Sequence, residues 1–178
     1  MNVEITSPPR TIMEVFKILP EGTLAELING QIYMSPTPTN LHQRISRKIL
    51  IKLSEFVEKN ELGEIFYAPL DIYLDESSNA VQPDIIFISK SNASQPLDKV
   101  PYKGIPDLLV EILSPSNNKH DLVVKKDLYE KFGVKEYWII DPTTKESMVY
   151  QLIEKEYQLT AKDIAILFSP LLNQSFAF

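Results

Sequence analysis

Two hydrophobic periods share this chain. Leu41 to Asn60 carries the longest helical one, where Leu41, Ile45, Ile49, Leu53 and Phe56 recur at steps of three and four to form one apolar stripe. Thr11 to Leu19 predicts a shorter helix, with Thr11 as N-cap and Pro20 as terminator. Between these two, LAELI and QIYM flank Asn29-Gly30, which is the signature of a two-residue hairpin turn. Ser35 to Asn40 reads as a loop, and Gly63 ends the long helix. Ile65 to Leu74 predicts a strand, and Val81 to Ser89, rich in Ile and Phe, predicts another. Lys90 to Gly104 is polar and contains proline, so a loop is expected there. Leu108 to Leu113 is an apolar strand with one charge. Asp121 to Phe132 is a second helix closed by Gly133, Glu136 to Asp141 is a buried strand, and Ser147 to Thr160 is a polar hairpin. Strands separated by helices imply a mixed sheet covered by helices. The expected fold class is therefore α/β or α+β, as one domain over residues 1–178.

Composition narrows the function classes. With 178 residues the chain can bury a core unaided. It has no cysteine, which excludes disulfides and thiolate metal sites and suits a reducing cytoplasm. The opening MNVEITSPPRTIMEVF lacks the apolar core of a secretory signal, and no apolar run reaches the length of a membrane span. The net charge of −6 argues against a protein that coats nucleic acid by neutralising phosphates. It does not argue against a nuclease that holds a divalent cation, because the cation brings its own positive charge.

The informative residues are charges inside apolar elements. Side chains alternate along a strand, so Gln82, Asp84, Ile86 and Ile88 share one face, and Leu109, Glu111 and Leu113 share another. A mid-strand carboxylate is costly unless it is paired, protonated or bound to metal. In the following helix, Leu122, Leu128, Tyr129 and Phe132 cluster on one side, and Lys125 falls among them with Asp121 one turn earlier. Lys126 falls on the opposite, wet side. Each residue alone has a plain structural reading: Asp84 as a turn residue, Lys125 as an i,i+4 partner of Asp121. Together, two strand carboxylates and an inward lysine point to one cluster of opposite charges, a pattern typical of functional sites.

These residues resemble the PD-(D/E)xK nuclease superfamily, with its restriction-endonuclease-like fold. That superfamily has Pro-Asp at the start of one core strand, an acidic residue midway along the next, and a lysine two positions on. Pro83-Asp84 and Glu111 fill the acidic places. More closely, the chain is similar to the large bacterial Uma group of restriction endonucleases. LPEGTLAELINGQIYMSP, VQPDIIFIS, PDLLVEILSPS, the spaced Asp121, Lys125, Leu128 and Tyr129, and GVKEYWIIDP carry the similarity in order. The superfamily lysine should stand at 113, where this chain has Leu113. The resemblance makes Lys125, moved onto the following helix, its replacement. Glu26 in the hairpin resembles a further acidic position, although an exposed strand charge is an equal reading.

The resemblance implies Mg²⁺- or Mn²⁺-dependent hydrolysis of DNA phosphodiester bonds by a homodimer. Asp84 and Glu111 would hold the metal, joined by Glu26, and Lys125 would stabilise developing negative charge. Gln82, His42 and Asp121 would support the site or touch substrate. Independently of the resemblance, the long helix carries Arg44, Arg47, Lys48 and Lys52, which read either as phosphate contacts, Arg44 and Lys48 among them, or as a plain solvated face. The plain structural reading of His42 is a cap for that helix. Lys125→Ala is expected to cost catalysis more than stability. Two rival readings stand beside this one. A glycosidase acid–base pair would use Asp84 and Glu111 but give Lys125 no task. A non-catalytic nucleic-acid-binding or assembly protein on the same fold would retain the residues without the reaction.

Overall fold

The computed structural model describes residues 8–20, 22–92, 101–114 and 120–178. The opening heptapeptide and residues 93–100 of the expected Lys90 to Gly104 loop lie outside the described residues. Helix α1 (Ile12–Lys17) starts at Thr11, whose hydroxyl accepts from the Glu14 N–H. Strands β1 (Ala25–Ile28) and β2 (Gln31–Met34) form the expected hairpin. Its turn holds Asn29 and Gly30 at φ 49° and 78°, the left-handed pair that a two-residue turn requires. Helix α2 (Asn40–Lys59) is capped by Thr39, which accepts from the His42 N–H. Its buried stripe is His42, Ile45, Ile49, Leu53 and Val57. Leu41 is instead exposed, because the stripe one residue later already fills the first turn's inward position.

The two expected strands that follow are each split. Ile65 to Leu74 becomes β3 (Gly63–Tyr67) and β4 (Ile72–Tyr73), separated by a cis Ala68-Pro69 bond. Val81 to Ser89 becomes β5 (Ala80–Val81) and β6 (Ile85–Ser89), with Pro83-Asp84 between them. Proline carries no N–H for a ladder, so each split falls where pairing cannot continue. Next come β7 (Tyr102–Lys103), within the stretch expected to be loop, and β8 (Leu108–Ile112). A π-type turn (His120–Lys125) runs directly into α3 (Lys126–Phe132), which ends at Gly133 with φ 85°. Strands β9 (Glu136–Ile140), β10 (Glu146–Ile153) and β11 (Glu156–Ile164) follow. A last pair, β12 (Ile166–Ser169) and β13 (Gln174–Ala177), was not anticipated from the sequence.

Six strands form the main sheet in the order β11-β10-β9-β8-β6-β3, antiparallel except for the parallel β8–β9 pair. Five form a second sheet, β2-β1-β5-β4-β7, so the hairpin supplies two strands of a larger unit. Each face of the main sheet has its own core. Val110 and Ile112 of β8, with Ile85, Phe87 and Trp138, pack under α2 and against Phe176. Leu109 and Leu113, with Ile86, Ile88, Tyr137 and Ile139, pack under Leu128 and Tyr129 of α3. Glu111 lies on this second face by alternation and is buried there, 4% exposed. Among the described residues no helix is long and apolar enough to cross a membrane.

Candidate active site

Pro83-Asp84 is the corner at which the chain leaves the smaller sheet and enters the main one. This corner, the end of β8, the start of α2 and the π-type turn enclose a cavity of about 170 Å³. Gln82, Asp84, Glu111, Asp121, Lys125 and His42 all line it.

Two groups hold Asp84. Its Oδ2 accepts the Ile112 N–H at 2.8 Å and lies 3.1 Å from His42 Nε2. His42 therefore serves Asp84, while Thr39 caps the helix. Burial acts to lower the His42 pKa, but the hydrogen bond and charge of Asp84 outweigh it and raise it above the ordinary imidazole value.

Lys125 is the hub of the cavity. Its ammonium lies 2.9 Å from Glu111 Oε1, 3.0 Å from Glu26 Oε1 and 3.5 Å from Asp121 Oδ1, and the residue is 5% exposed. Burial would lower its pKa, yet the three carboxylates hold it well above the ordinary lysine value. Tyr129 donates its hydroxyl to Glu111 Oε1 at 2.9 Å. Glu26 Oε1 also accepts the Gln82 N–H at 2.9 Å, and the Gln82 amide is fixed by Thr23 O and Asp71 Oδ1.

One ammonium cannot neutralise three carboxylates, so they separate in proton affinity. Burial and repulsion by Asp121, Asp84 and Glu26 raise the Glu111 pKa well above the usual range despite Lys125. Asp121 is raised for the same reasons, burial first. Glu26 is opposed by burial, but Lys125 and the Gln82 N–H bring it down to about 2. Without a cation, Glu26 is the ionised partner of Lys125, and Glu111 is the carboxyl held toward its protonated form.

These residues suit a hard divalent cation. Among the described residues, hydrogen bonds to Asp84 fall on Oδ2 and those to Glu111 on Oε1, leaving one oxygen of each. The excess negative charge that raises Glu111 is what a cation would relieve. No three carboxylate or imidazole groups among the described residues form a cage on their own. Mg²⁺ does not require one, because it takes most of its ligands from water and phosphate and only one or two from carboxylates. Glu26, read from the sequence as a further ligand, has Oε1 engaged by Lys125 and the Gln82 N–H, and its Oε2 lies 3.8 Å from His120 Nε2.

The family model described as "Uma2: Putative restriction endonuclease" matches residues 13–172. The chain belongs to the Uma2 family. This Uma2 chain also shares its fold with a crystal structure from Anabaena variabilis ATCC 29413, described as a putative nuclease belonging to DUF820. The two superpose with a TM-score of 0.74 at 22% identity, covering 93% of this chain and 92% of that one. A search of curated proteins returned no match.

The structure brings together Asp84, Glu111, Lys125, Glu26, Gln82, His42 and Asp121 of the sequence-derived set. Leu113, where the resemblance read from the sequence expected a lysine, is buried in the α3-side core of this Uma2 chain. Arg44 lies in an adjoining groove, whereas Lys48 is exposed on another side of α2 beside Ile51, Lys52 and Phe178. Lys126, placed in water by the helix arithmetic, is only partly exposed, with its ammonium 5.3 Å from the Tyr150 ring centroid. Sequence reasoning missed the Tyr129 hydroxyl, because an aromatic on an apolar stripe reads as core. It also missed His120, whose ring packs 4.5 Å from that of Tyr33 and whose Nε2 is 3.8 Å from Glu26 Oε2.

Proposed function

We propose that this protein is a metal-dependent nuclease that hydrolyses phosphodiester bonds of DNA. The observation that carries the reading is the Lys125 ammonium, hydrogen-bonded to Glu111 inside the cavity that Asp84 also lines. Asp84 and Glu111 would hold a Mg²⁺ or Mn²⁺ ion. When bound, that ion would supply Lewis-acid polarisation of the phosphate and a lowered pKa for the attacking water. The chain's own residues do the rest. The Ile112 N–H and His42 fix the Asp84 carboxylate from two sides. Glu26, itself held by Gln82, keeps the Lys125 ammonium in the cavity as a fixed positive charge that would offset negative charge developing on phosphate oxygens. Tyr129 donates to the same Glu111 oxygen as Lys125 and helps orient the carboxyl group. A glycosidase pair leaves this buried ammonium without a task.

The test is cleavage of supercoiled plasmid DNA by wild type, Asp84→Ala and Glu111→Ala, with Mg²⁺, Mn²⁺ or chelator. Cleavage is expected for wild type with metal and for none of the others. Loss of one transition-state stabiliser is worth about 10²–10³ in rate. A folded wild-type protein that cuts no DNA with either metal sinks the proposal and leaves a non-catalytic binding role.

A further inference from the structure

A second groove, of about 440 Å³, opens beside the carboxylate cavity and shares Gln43, Ala68 and Asp84 with it. Arg44, Ser46, Arg47 and Leu50 of α2 form one wall, and Tyr67 forms the other. The size suits a ligand cleft, for which about 300–1,000 Å³ is usual. Arg44 and Arg47 are exposed, and no ion pair with either occurs among the described residues. Two unpaired arginines beside Asp84, in a chain of net charge −6, mark a local reversal of sign. Tyr67 ends β3, the edge strand of the main sheet. Strand alternation places it on the α2 side with Ile65, but it lies past the end of the core and is 62% exposed.

We infer that this groove binds the DNA strand next to the cut, with Arg44 and Arg47 on phosphates and Tyr67 stacked against an unpaired base. The inference rests on the nuclease reading and extends it to a substrate class: DNA that is single-stranded or unpaired beside the scissile bond. The chemistry is that of single-strand binders, where a basic track follows the backbone and an aromatic face accepts any base. A fully stacked duplex buries its base faces and offers Tyr67 no partner. A double-stranded substrate therefore uses only the arginine half of the groove.

The experiment measures anisotropy of a fluorescein-labelled single-stranded oligonucleotide and of the blunt duplex of the same sequence, in chelator, as a function of salt. Wild type should bind the single strand more tightly. Tyr67→Ala should weaken that binding about 5- to 100-fold with the salt slope unchanged, and Tyr67→Phe should preserve it. Arg44→Ala and Arg47→Ala should each lower the salt slope by about 0.7. All three side chains are exposed, so the variants keep the fold. Equal binding of the two DNAs, or Tyr67→Ala and the arginine variants indistinguishable from wild type, overturns the inference. Cleavage of the same single-stranded and duplex oligonucleotides with Mg²⁺ or Mn²⁺ separates it from the nuclease reading. Cleavage with unaltered KM and strand preference in all three variants removes the groove and leaves the nuclease. Tyr67-dependent binding without cleavage does the reverse.

Discussion

Lys125 Nζ and Glu26 Oε1 stand 3.0 Å apart, joining the π-type turn to the hairpin strand β1. The contact ties the smaller sheet to the face of the main sheet that carries Glu111. The site is thus assembled from both sheets, and its charges are part of what holds them together. Glu26 is 2% exposed, which resolves the ambiguity of a hairpin acid in favour of the buried cluster.

Removing that ammonium affects the fold as well as any reaction. Lys125→Ala leaves Glu26, Glu111 and Asp121 without their shared cation, and breaking a buried ion pair from one side costs about 3–5 kcal/mol. The sequence-based expectation that catalysis suffers more than stability is revised to a loss of both. Without Lys125 the three carboxyls have folded pKa values above their unfolded ones. Their protonation then stabilises the fold below the unfolded value and is lost as pH rises. The deficit should therefore be largest near pH 7 and shrink toward acid. Urea denaturation of the variant at neutral and acid pH checks this, and wild-type stability at neutral pH contradicts it.

The wild-type protein in chelator carries two opposite pH dependences. Glu111 is raised well above 4.5, so its contribution is complete below 4.5 and is lost as pH rises through its folded value. Glu26 is lowered from 4.5 to about 2, so its contribution is present above 4.5 and is lost as pH falls toward 2. Glu111→Gln should flatten the upper branch and melt above wild type at neutral pH. Glu26→Gln should melt below wild type there and lose the acid branch. Thermal melts across both windows decide the matter, and curves parallel to wild type would show the assignment to be mistaken.

Much of this was legible in the sequence, and the failures have physical causes. Glu111 and Lys125 stood out because each is a charge in an apolar period, and period alone fixes the side on which they lie. The splitting of two long strands did not stand out, because an apolar run continues across Pro69, and at Pro83 apolar residues resume after only Gln82-Pro83-Asp84, while the ladder stops at both. Asp84 was therefore placed in a strand start rather than at a corner between two sheets. The ties of Gln82 to Thr23 and Asp71, and of Tyr129 to Glu111, join residues distant in sequence, and no local pattern encodes them. The β12–β13 pair alternates buried and exposed positions, but each strand has only four residues, too few for the period to register.

Cation binding should be visible without turnover. Because burial and neighbouring carboxylates raise the Glu111 pKa, cation binding at Asp84 and Glu111 is expected to release a proton. Calorimetric titration of Mn²⁺ in two buffers of different ionisation enthalpy measures that release directly. At a hundredfold excess over Kd, linkage stabilises by about 2.7 kcal/mol, or roughly 5–10 °C in Tm for a chain of this size. Asp84→Ala should lose the thermal shift, and Glu111→Gln should lose the proton release. Binding with no released proton and no shift in Tm would place the cation elsewhere.

The last prediction concerns whether Lys125 stands in for the lysine expected at position 113. Leu113 shares the strand face of Glu111 two positions on, and it is 6% exposed in the core beneath Leu128 and Tyr129. In the wild-type background, Leu113→Lys buries a second ammonium near Lys125 and removes apolar contacts, so it should destabilise strongly. In the Lys125→Ala background the same change supplies the missing cation to Glu111, and its cost should fall. The four proteins form a double-mutant cycle whose interaction term should be favourable by about 0.5–3 kcal/mol, the range for residues sharing a partner. Urea denaturation of all four gives the term, and plasmid cleavage by the double variant shows whether activity returns with it. Simple additivity of the two changes would mean that an ammonium at 113 cannot reach the carboxylates. Lys125 would then be a structural counter-ion peculiar to this turn rather than the displaced lysine of the superfamily.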